Sequence, residues 1–526
     1  MQFEALRDLK VMARKKLDER LAGNPSVEPD GDGYRLVGDH YRKQTRVVLR
    51  NSEIINPLDI DEYIALDGYR ALADLLEKKV PPADVVETMI DAHLRGRGGA
   101  GFPAGRKWKE ALSHDAERKY VICNADEGDP GAYMDRHILE TDPHSVLEGM
   151  AIAGYAIGSN YGYIYVRAEY PVAVKRLRTA IAQAEEKGLL GDNILGTDFS
   201  FHLELRLGAG AFVCGEGTAM IESIEGRRGM PRFKRYRTAH KGLFGMPTIV
   251  NNVETLANVH WIYLYGADWF KSIGTSGSPG TKVFALVGKI ADPGLVEVPM
   301  GTPLRTIIYD IGGGIKDNKP FKAVQTGGPS GGCIPEQNLD IPVDFDELVK
   351  VGSIMGSGGM VIMDEDDCMV DIARYFMDFS VEESCGKCTP CRIGNKRILE
   401  LLDKIINGDG RERDLDYLKE LSIVIRDTSL CGLGQSATNP VLSTLEYFAD
   451  EYRAHAIDKK CPAGVCKALR HYSISDACIG CGRCKRNCPT NCISGELRSV
   501  HVINQESCVQ CGTCVDICPV QAIQVE

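Results

Sequence analysis

Residues 120–170 read YVICNADEGDPGAYMDRHILETDPHSVLEGMAIAGYAIGSNYGYIYVRAEY. The two ends, YVICNAD at Tyr120–Asp126 and YGYIYVRAEY at Tyr161–Tyr170, are short runs rich in β-branched and aromatic residues, the composition of strands. Between them SVLEGMAIAGYAIG is alanine-rich and reads as a helix, and VAVKRLRTAIAQAEEKG after them reads as another. Strand and helix in alternation predict an α/β domain with a largely parallel sheet.

Working towards the N-terminus, a glycine-rich turn precedes the first strand, and before it lies the helix-patterned ADVVETMIDAHL, introduced by Pro81-Pro82. A helix is expected through Tyr69–Lys79 and a strand at RVVLR, residues 46–50; the segment before that is polar and mixed. Working towards the C-terminus, the pattern changes near Gly280 to the β-branched runs TKVFALVG and GLVEVPM and a helix-like TPLRTIIYDIGG. This predicts a small α+β module ending near Pro342. From Asp366 to Tyr447 the periodicity is helical, in DIARYFMDFS, RILELLDKII and LDYLKELSIVIRD. From Cys461 the chain is short-patterned and dense in cysteine. The expected division is therefore 1–70 as an N-terminal segment, 71–275 as the α/β domain, 276–345 as the small module, 346–458 as a helical bundle and 459–526 as linker and tail.

At 526 residues the chain is too long for one core. Its 44% hydrophobic and 26% charged residues are ordinary for a globular protein. No apolar run is long enough to span a bilayer, and the charged N-terminus has no secretory h-region, so a cytoplasmic location is expected. A net charge of −11 argues against nucleic acid as a partner.

Cysteine carries the chemistry. Of nineteen cysteines, twelve fall into three compact groups after residue 384. In a reducing compartment these stay thiols, and thiolates at such spacing repel one another unless a metal neutralises them. Cys478-x2-Cys481-x2-Cys484-x3-Cys488-Pro489 recurs thirty residues on as Cys508-x2-Cys511-x2-Cys514-x3-Cys518-Pro519. That is the bacterial two-cluster ferredoxin run, in which the fourth cysteine of each motif ligates the other cluster. Cys478, Cys481, Cys484 and Cys518 are therefore assigned to one [4Fe–4S] cluster and Cys488, Cys508, Cys511 and Cys514 to its twin. Cys492 stands outside both sets. Cys385-Gly-Lys-Cys388-Thr-Pro-Cys391 and the remote Cys431 make a third four-thiolate set, suited to one-electron traffic. Cys461 and Cys466 have zinc spacing, with His455 six residues before them and Cys368 as a candidate fourth ligand. The alternative there is two unligated thiols at a linker.

Gly96-Arg97-Gly98-Gly-Ala-Gly101 spells GxGxxG, yet the residues before it look helical, so the Rossmann context of strand, turn and helix is not met. A different glycine-rich phosphate cradle remains open.

Five ordered motifs carry a resemblance: HLRGRGGAGFPAGRKW, CNADEGDPGAYMDR, GAGAFVCGEGTA, PTIVNNVETLANV and ESCGKCTPCR. Over roughly residues 45–455 the chain resembles the flavin-bearing NADH-oxidising subunit of respiratory complex I and its counterparts in soluble NAD(P)-linked hydrogenases and formate dehydrogenases. The doubled ferredoxin tail, and Asp129 where the complex I pattern has glutamate, resemble the hydrogenase type. The resemblance implies a Rossmann-like flavin domain, a β-grasp (SLBB-like) module, a helical-bundle [4Fe–4S] domain and a C-terminal 2×[4Fe–4S] ferredoxin domain. It implies FMN, three [4Fe–4S] clusters and NAD(P)(H) as substrate, with hydride passing directly between nicotinamide and flavin and no catalytic side chain.

Gly96, Arg97, Gly98 and Lys107 match the residues around the flavin phosphate and ring edge. Asn124, Asp126 and Glu127 match the strand-end residues for its polar atoms, near Asp129. Gly215, Glu216, Val250, Asn251 and Asn252 match its remaining wall. Phe102 matches an aromatic stacking on the nicotinamide nucleotide, Phe212 replaces a tyrosine at the flavin–nucleotide boundary, and Lys234 matches a lysine near the nucleotide. Gly217 stands where the family's GEET has a carboxylate; its loss removes a charge that would repel a ribose 2′-phosphate, and Arg232, Lys234 and Arg235 are close in sequence. The family's N-terminal thioredoxin-like [2Fe–2S] domain is not matched, since no cysteine precedes Cys123, and it is expected in a partner subunit. Further expected partners are hydrogenase or formate dehydrogenase catalytic subunits, with ferredoxin if the enzyme bifurcates electrons. An electron relay with a degenerate nucleotide pocket and an interaction scaffold are the rival readings.

Overall fold

The structure, a computed structural model, describes residues 2–233 and 235–525. The chain divides into two compact units. One comprises residues up to Asn318 together with Val324–Ile362 and Leu430–Leu433; the other comprises Lys319–Ala323, Met363–Ser429 and the chain from Gly434 onward. The architecture is multidomain α/β.

In the first unit, the helix Phe3–Leu21 buries Leu6, Ala13, Leu17 and Leu21 along one stripe and packs on the short helix Ile60–Ala65. A hairpin of β1 (Val27–Asp30) and β2 (Gly33–Leu36) follows. The α/β domain is built on four parallel strands, β3 (Tyr120–Ala125), β4 (Tyr161–Arg167), β5 (His202–Gly208) and β6 (Thr248–Asn252), in the order β5-β4-β3-β6. The connecting helix Pro143–Ile157 is buried almost throughout. The Asp142 carboxylate caps its first turn by accepting from Ser145 N, and Gly158 ends it at φ 72°. Because β4 and β6 lie on opposite sides of β3, the strand order switches direction there, which opens a crevice at the strands' C-terminal ends. The register sets Asn124 beside Asn252 and Cys123 beside Asn251, so the crevice is edged with amide side chains.

The β-grasp module is a mixed five-stranded sheet, β10-β9-β11-β7-β8, of β7 (Thr281–Gly288), β8 (Gly294–Pro299), β9 (Phe321–Thr326), β10 (Cys333–Pro335) and β11 (Gly359–Asp364). β8 runs antiparallel to β7, and β11 runs parallel to it, so this sheet reaches beyond the expected boundary at residue 345. Its first strand is tied to the α/β domain by a fully buried ion pair between Lys282 and Glu254, whose other carboxylate oxygen accepts from Val283 N at 2.9 Å. Removing one partner of such a pair strands a buried charge and costs about 3–5 kcal/mol.

One expected strand is absent. RVVLR forms turns, because the buried Glu297 carboxylate takes the Val48 and Leu49 N–H groups, each at 2.9 Å, that a neighbouring strand would otherwise need.

In the second unit the helices Met369–Glu382, Asn395–Ile406, Glu412–Thr428 and Asn439–Tyr447 pack around Val370, Ala373, Met377, Ile398, Leu402, Leu418, Ile425 and Val441. The tail has two antiparallel pairs, β12 (Tyr472–Ile474) with β15 (Ile523–Val525), and β13 (Ile493–Ser494) with β14 (Val502–Ile503). Among the described residues no helix is long and apolar enough to cross a membrane.

Candidate functional site

The glycine-rich segment is a closed loop, with Arg95 bridging Pro103 and Gly96 N donating to Phe102 O at 2.9 Å. The element before it is the helix Pro82–Asp91, so it is not a Rossmann turn. Arg97 is wholly buried; its guanidinium donates to the carbonyls of Arg95, Pro279 and Thr281, and its backbone N–H to Thr255 Oγ1 at 2.8 Å. Burial holds that guanidinium down at about 10. Arg97's side chain thus holds the loop to the start of β7, and its contribution to a ligand would be through backbone. A Cβ at Gly98 would stand 2.9 Å from Asn252 Cβ, so the loop and the end of β6 approach as only glycine allows.

The loop faces a cavity of about 420 Å³ at the switch point of the sheet. Its walls include Gly96, Gly98, Phe102, Lys107, Asn124, Gly215, Glu216, Gly217, Val250, Asn251 and Asn252. The helix Ala104–Ser113 brings in Lys107, whose Nζ donates to Val250 O at 3.0 Å and lies 5.8 Å from the centre of the Phe102 ring. Desolvation lowers the Lys107 ammonium to about 8. Asn124 Nδ2 donates to Gly215 O at 2.9 Å, and Glu216 caps the helix Gly217–Ile224 by accepting from Thr218 N and Ala219 N. Trp108 Nε1 donates to Asn251 Oδ1 at 3.1 Å, which fixes that amide and leaves its Nδ2 buried without a partner among the described residues.

Besides Arg97, four described residues of the expected set do not line the cavity. Asp126 is buried beside Gly215. The Glu127 carboxylate is taken by the N–H groups of Asp135 and Arg136, at 3.1 and 3.0 Å, where the helix Met134–Thr141 begins, and desolvation raises it to about 7. Asp129 accepts from Ser357 Oγ at 2.6 Å and is raised by burial to about 6. Phe212 packs against Gly128. Lys234 lies outside the described residues.

Arg232, expected to be available to a phosphate, is held by Glu222 and Glu225. Arg237 does line the cavity, 5.7 Å from the centre of the Phe102 ring and bonded to Glu110 at 3.1 Å. Tyr236, Arg237, Thr238 and Thr255 are wall residues that the motifs did not single out. The run of basic residues from Arg232 to Arg237 was the available signal for Arg237.

An orphaned amide donor, a lysine using one of its three N–H groups, and a glycine loop closed against β6 fit an anionic ligand rich in acceptors, as FMN is.

In the tail, one small cavity is lined by Cys478, Cys481, Cys484 and Cys518 and a second by Cys488, Cys508, Cys511 and Cys514. Each set crosses between the two repeats. Gly482 and Gly512, at φ 67° and 79°, start the short helices that carry Cys484 and Cys514. Cys492 Sγ lies 3.3 Å from Cys488 Sγ beside the second cavity. Cys385, Cys388 and Cys391 lie on the turn that leads into the helix Asn395–Ile406, with Ser384 Oγ 3.2 Å from Cys391 Sγ; Cys431 is buried. All-thiolate sets of this kind suit iron–sulfur clusters.

Cys368, His455, Cys461 and Cys466 are all buried, with their ligand atoms within 4.8 Å of one another. His455 Nε2 is 3.3 Å from Cys368 Sγ and 3.4 Å from Cys466 Sγ. His455 Nδ1, 2.7 Å from the Glu451 carbonyl oxygen, donates its proton there and leaves Nε2 a lone pair towards the sulfurs. A Cys3His set fits tetrahedral zinc.

Comparison with known proteins agrees with this layout. Residues 89–261 match a family model described as the Nuo51 FMN-binding domain. Residues 371–455 match the NADH-ubiquinone oxidoreductase-F iron-sulfur binding region, and residues 473–525 match a 4Fe-4S dicluster domain. The chain is 59% identical over 461 residues, 88% of its own length and 94% of the relative's, to the NADP-reducing hydrogenase subunit HndC of Solidesulfovibrio fructosivorans. It is 44% identical over 416 residues to the F 2 subunit of the NADH-quinone oxidoreductase of Rhizobium meliloti (strain 1021), covering 79% of this chain and 99% of that one. A crystal structure of an NAD+-reducing [NiFe]-hydrogenase in the H2-reduced state superposes with a TM-score of 0.66 at 36% identity. The match covers 72% of this chain and spans 63% of that one.

Proposed function

The chain belongs to the family of FMN-binding, iron–sulfur subunits of NAD(P)H-linked oxidoreductases, and on that premise we propose that it is the diaphorase subunit of a soluble, multi-subunit hydrogenase. The observation that carries the reading is the cavity at the switch point, where one unpartnered amide, one underused lysine and the glycine loop converge. The ferredoxin tail and the similarity to one component of an NADP-reducing hydrogenase favour a hydrogenase over a formate dehydrogenase.

FMN would be held by the Gly96–Gly98 loop, Lys107, Asn124, Asn251 and Asn252, and when bound it supplies the conversion between two-electron and one-electron chemistry. The chain's own residues do the rest. Lys107 Nζ holds a proton and hence a positive charge beside the anion. Asn251 Nδ2 donates into the cavity because Trp108 fixes its amide. Phe102 offers a flat apolar face for a nicotinamide nucleotide, and the enclosing walls exclude water. Acid precipitation of the purified chain should release FMN; release of no flavin, or of flavin adenine dinucleotide alone, would sink the assignment.

Three [4Fe–4S] clusters are proposed, on Cys385, Cys388, Cys391 and Cys431 and on the two crossed sets of the tail, which gives about twelve irons per chain. Zinc on Cys368, His455, Cys461 and Cys466 would fasten the start of the tail to the helical bundle. The pocket should accept a ribose 2′-phosphate: Gly217 brings no carboxylate, and Arg237 at the wall is the cation suited to pair with it. A small [2Fe–2S] subunit and a hydrogenase catalytic subunit are the proposed partners, in the cytoplasm. Electron bifurcation would add ferredoxin to them.

A further inference from the structure

A second cavity, of about 450 Å³, lies in the N-terminal part of the first unit, between the β1–β2 hairpin, the short helix Asp39–Arg42 and the turns of residues 44–50. Four arginines line it, Arg35, Arg42, Arg46 and Arg50, against one carboxylate, Asp30. Its volume is that of a small-molecule site, yet its walls are unlike the apolar lining usual there.

The four guanidiniums are unequally committed. Arg35 pairs with Glu28 at 2.7 Å. Arg50 stands 5.2 Å from the centre of the Trp261 ring, and its Nη1 donates to Tyr265 Oη at 3.1 Å, so it is braced in place. Arg46 lies 5.3 Å from the centre of the Tyr41 ring, and its Nε is buried with no hydrogen-bond partner among the described residues. Arg42, at the end of its short helix, makes no side-chain hydrogen bond or ion pair among the described residues and is exposed. Burial also holds the Arg46 guanidinium below its ordinary value. An unsatisfied guanidinium nitrogen is costly to bury, and such a group in a folded protein calls for an explanation. The two carboxylates whose charge acts on it, Glu297 and Glu53, do not supply one: the Glu297 oxygens are taken by Val48 N, Leu49 N and Thr281 Oγ1, and Glu53 accepts from Tyr41 Oη.

We propose that this cavity binds a phosphoryl group carrying two or more negative charges, either free or as the phosphate end of a nucleotide, with Arg42 and Arg46 as its principal partners. Guanidinium is the side chain whose planar fork matches phosphate oxygens, and Arg50 and Arg35 complete the positive wall. The site is separate from the flavin–nucleotide cavity, shares no lining residue with it, and does not depend on the function proposed above.

The test is calorimetric titration of the full-length, FMN-loaded chain with pyrophosphate at low ionic strength, on the native sequence and on Arg42→Ala, Arg46→Gln and Arg237→Ala. One pyrophosphate should bind per chain, with affinity that falls as salt is added. Arg42→Ala, an exposed change with no bond to lose, should weaken binding about tenfold, the loss of roughly one charge-assisted contact. Arg46→Gln should weaken it at least as much, and Arg237→Ala should leave it unchanged. Tighter binding of ADP than of pyrophosphate would identify a nucleotide as the source of the phosphate, and weaker binding of ADP would identify a free phosphate. No saturable binding, binding that neither Arg42→Ala nor Arg46→Gln weakens, or binding lost only in Arg237→Ala would overturn the proposal.

Discussion

Lys107 is the residue whose chemistry is most exposed to test. Its ammonium, lowered to about 8 by desolvation, is a titratable positive charge at the proposed flavin site. An anion bound beside it would raise that value, so binding takes up a proton whenever the free site has lost one. Affinity for FMN should therefore be flat from about pH 7, where the phosphate is already doubly charged, to about pH 8 and fall above it, by at most about tenfold per pH unit. Flavin-fluorescence titrations of the apoprotein at several pH values should show this slope, and Lys107→Met should abolish it along with part of the affinity. A slope that persists in the variant would move the charge elsewhere. Gly217 tests nucleotide choice at the same scale. An added side chain there meets no atom within 4 Å, so Gly217→Glu can be accommodated and its effect read as charge. The ratio of kcat/KM for NADPH to that for NADH should fall about tenfold or more, equivalent to about 1.4 kcal/mol. Arg237→Ala should shift it the same way; an unchanged ratio in both would return selection to other residues.

At the scale of elements, the glycine loop and the linker proposed to bind zinc carry the sharpest expectations. Gly98→Ala places a Cβ 2.9 Å from Asn252 Cβ, a contact that backbone and β6 must relieve by moving. FMN occupancy should fall severalfold while the fold, followed by circular dichroism, persists. Elemental analysis of anaerobically prepared, iron-replete protein should find one zinc per chain, lost in His455→Ala; a chain without zinc would reject the site. What was legible here was spacing. Alternating strands and helices announced the parallel sheet because each element's pattern is local. RVVLR misled, because its strand-like composition is overruled by Glu297, nearly 250 residues away, which takes its amides. Glu127 and Asp129 sit in a motif of the flavin site, yet the Glu127 carboxylate turns back to the start of the helix Met134–Thr141 within that same motif, which composition does not declare, and Asp129 bonds to Ser357, which no sequence window contains.

At the scale of the whole molecule, the tail cysteines were the most readable feature, since the repeat itself announced the two crossed sets that line its two small cavities. The place of Cys368 beside His455 was readable only as a leftover, because 87 residues separate the two and the helical bundle alone brings them together. Arg237 was passed over for Arg232, whose pairing with Glu222 and Glu225 depends on a turn that sequence does not declare. The central claim is that one chain takes electrons from a nicotinamide nucleotide and delivers them to its own clusters. Anaerobic stopped-flow mixing of the FMN-loaded, iron-replete chain with NADPH or NADH tests it most directly. Flavin absorbance should bleach first and the cluster absorbance fall after it, with Cys385→Ser retaining the first phase and losing the second. Cluster reduction at the native rate in Cys385→Ser, or no bleaching with either nucleotide, would contradict it.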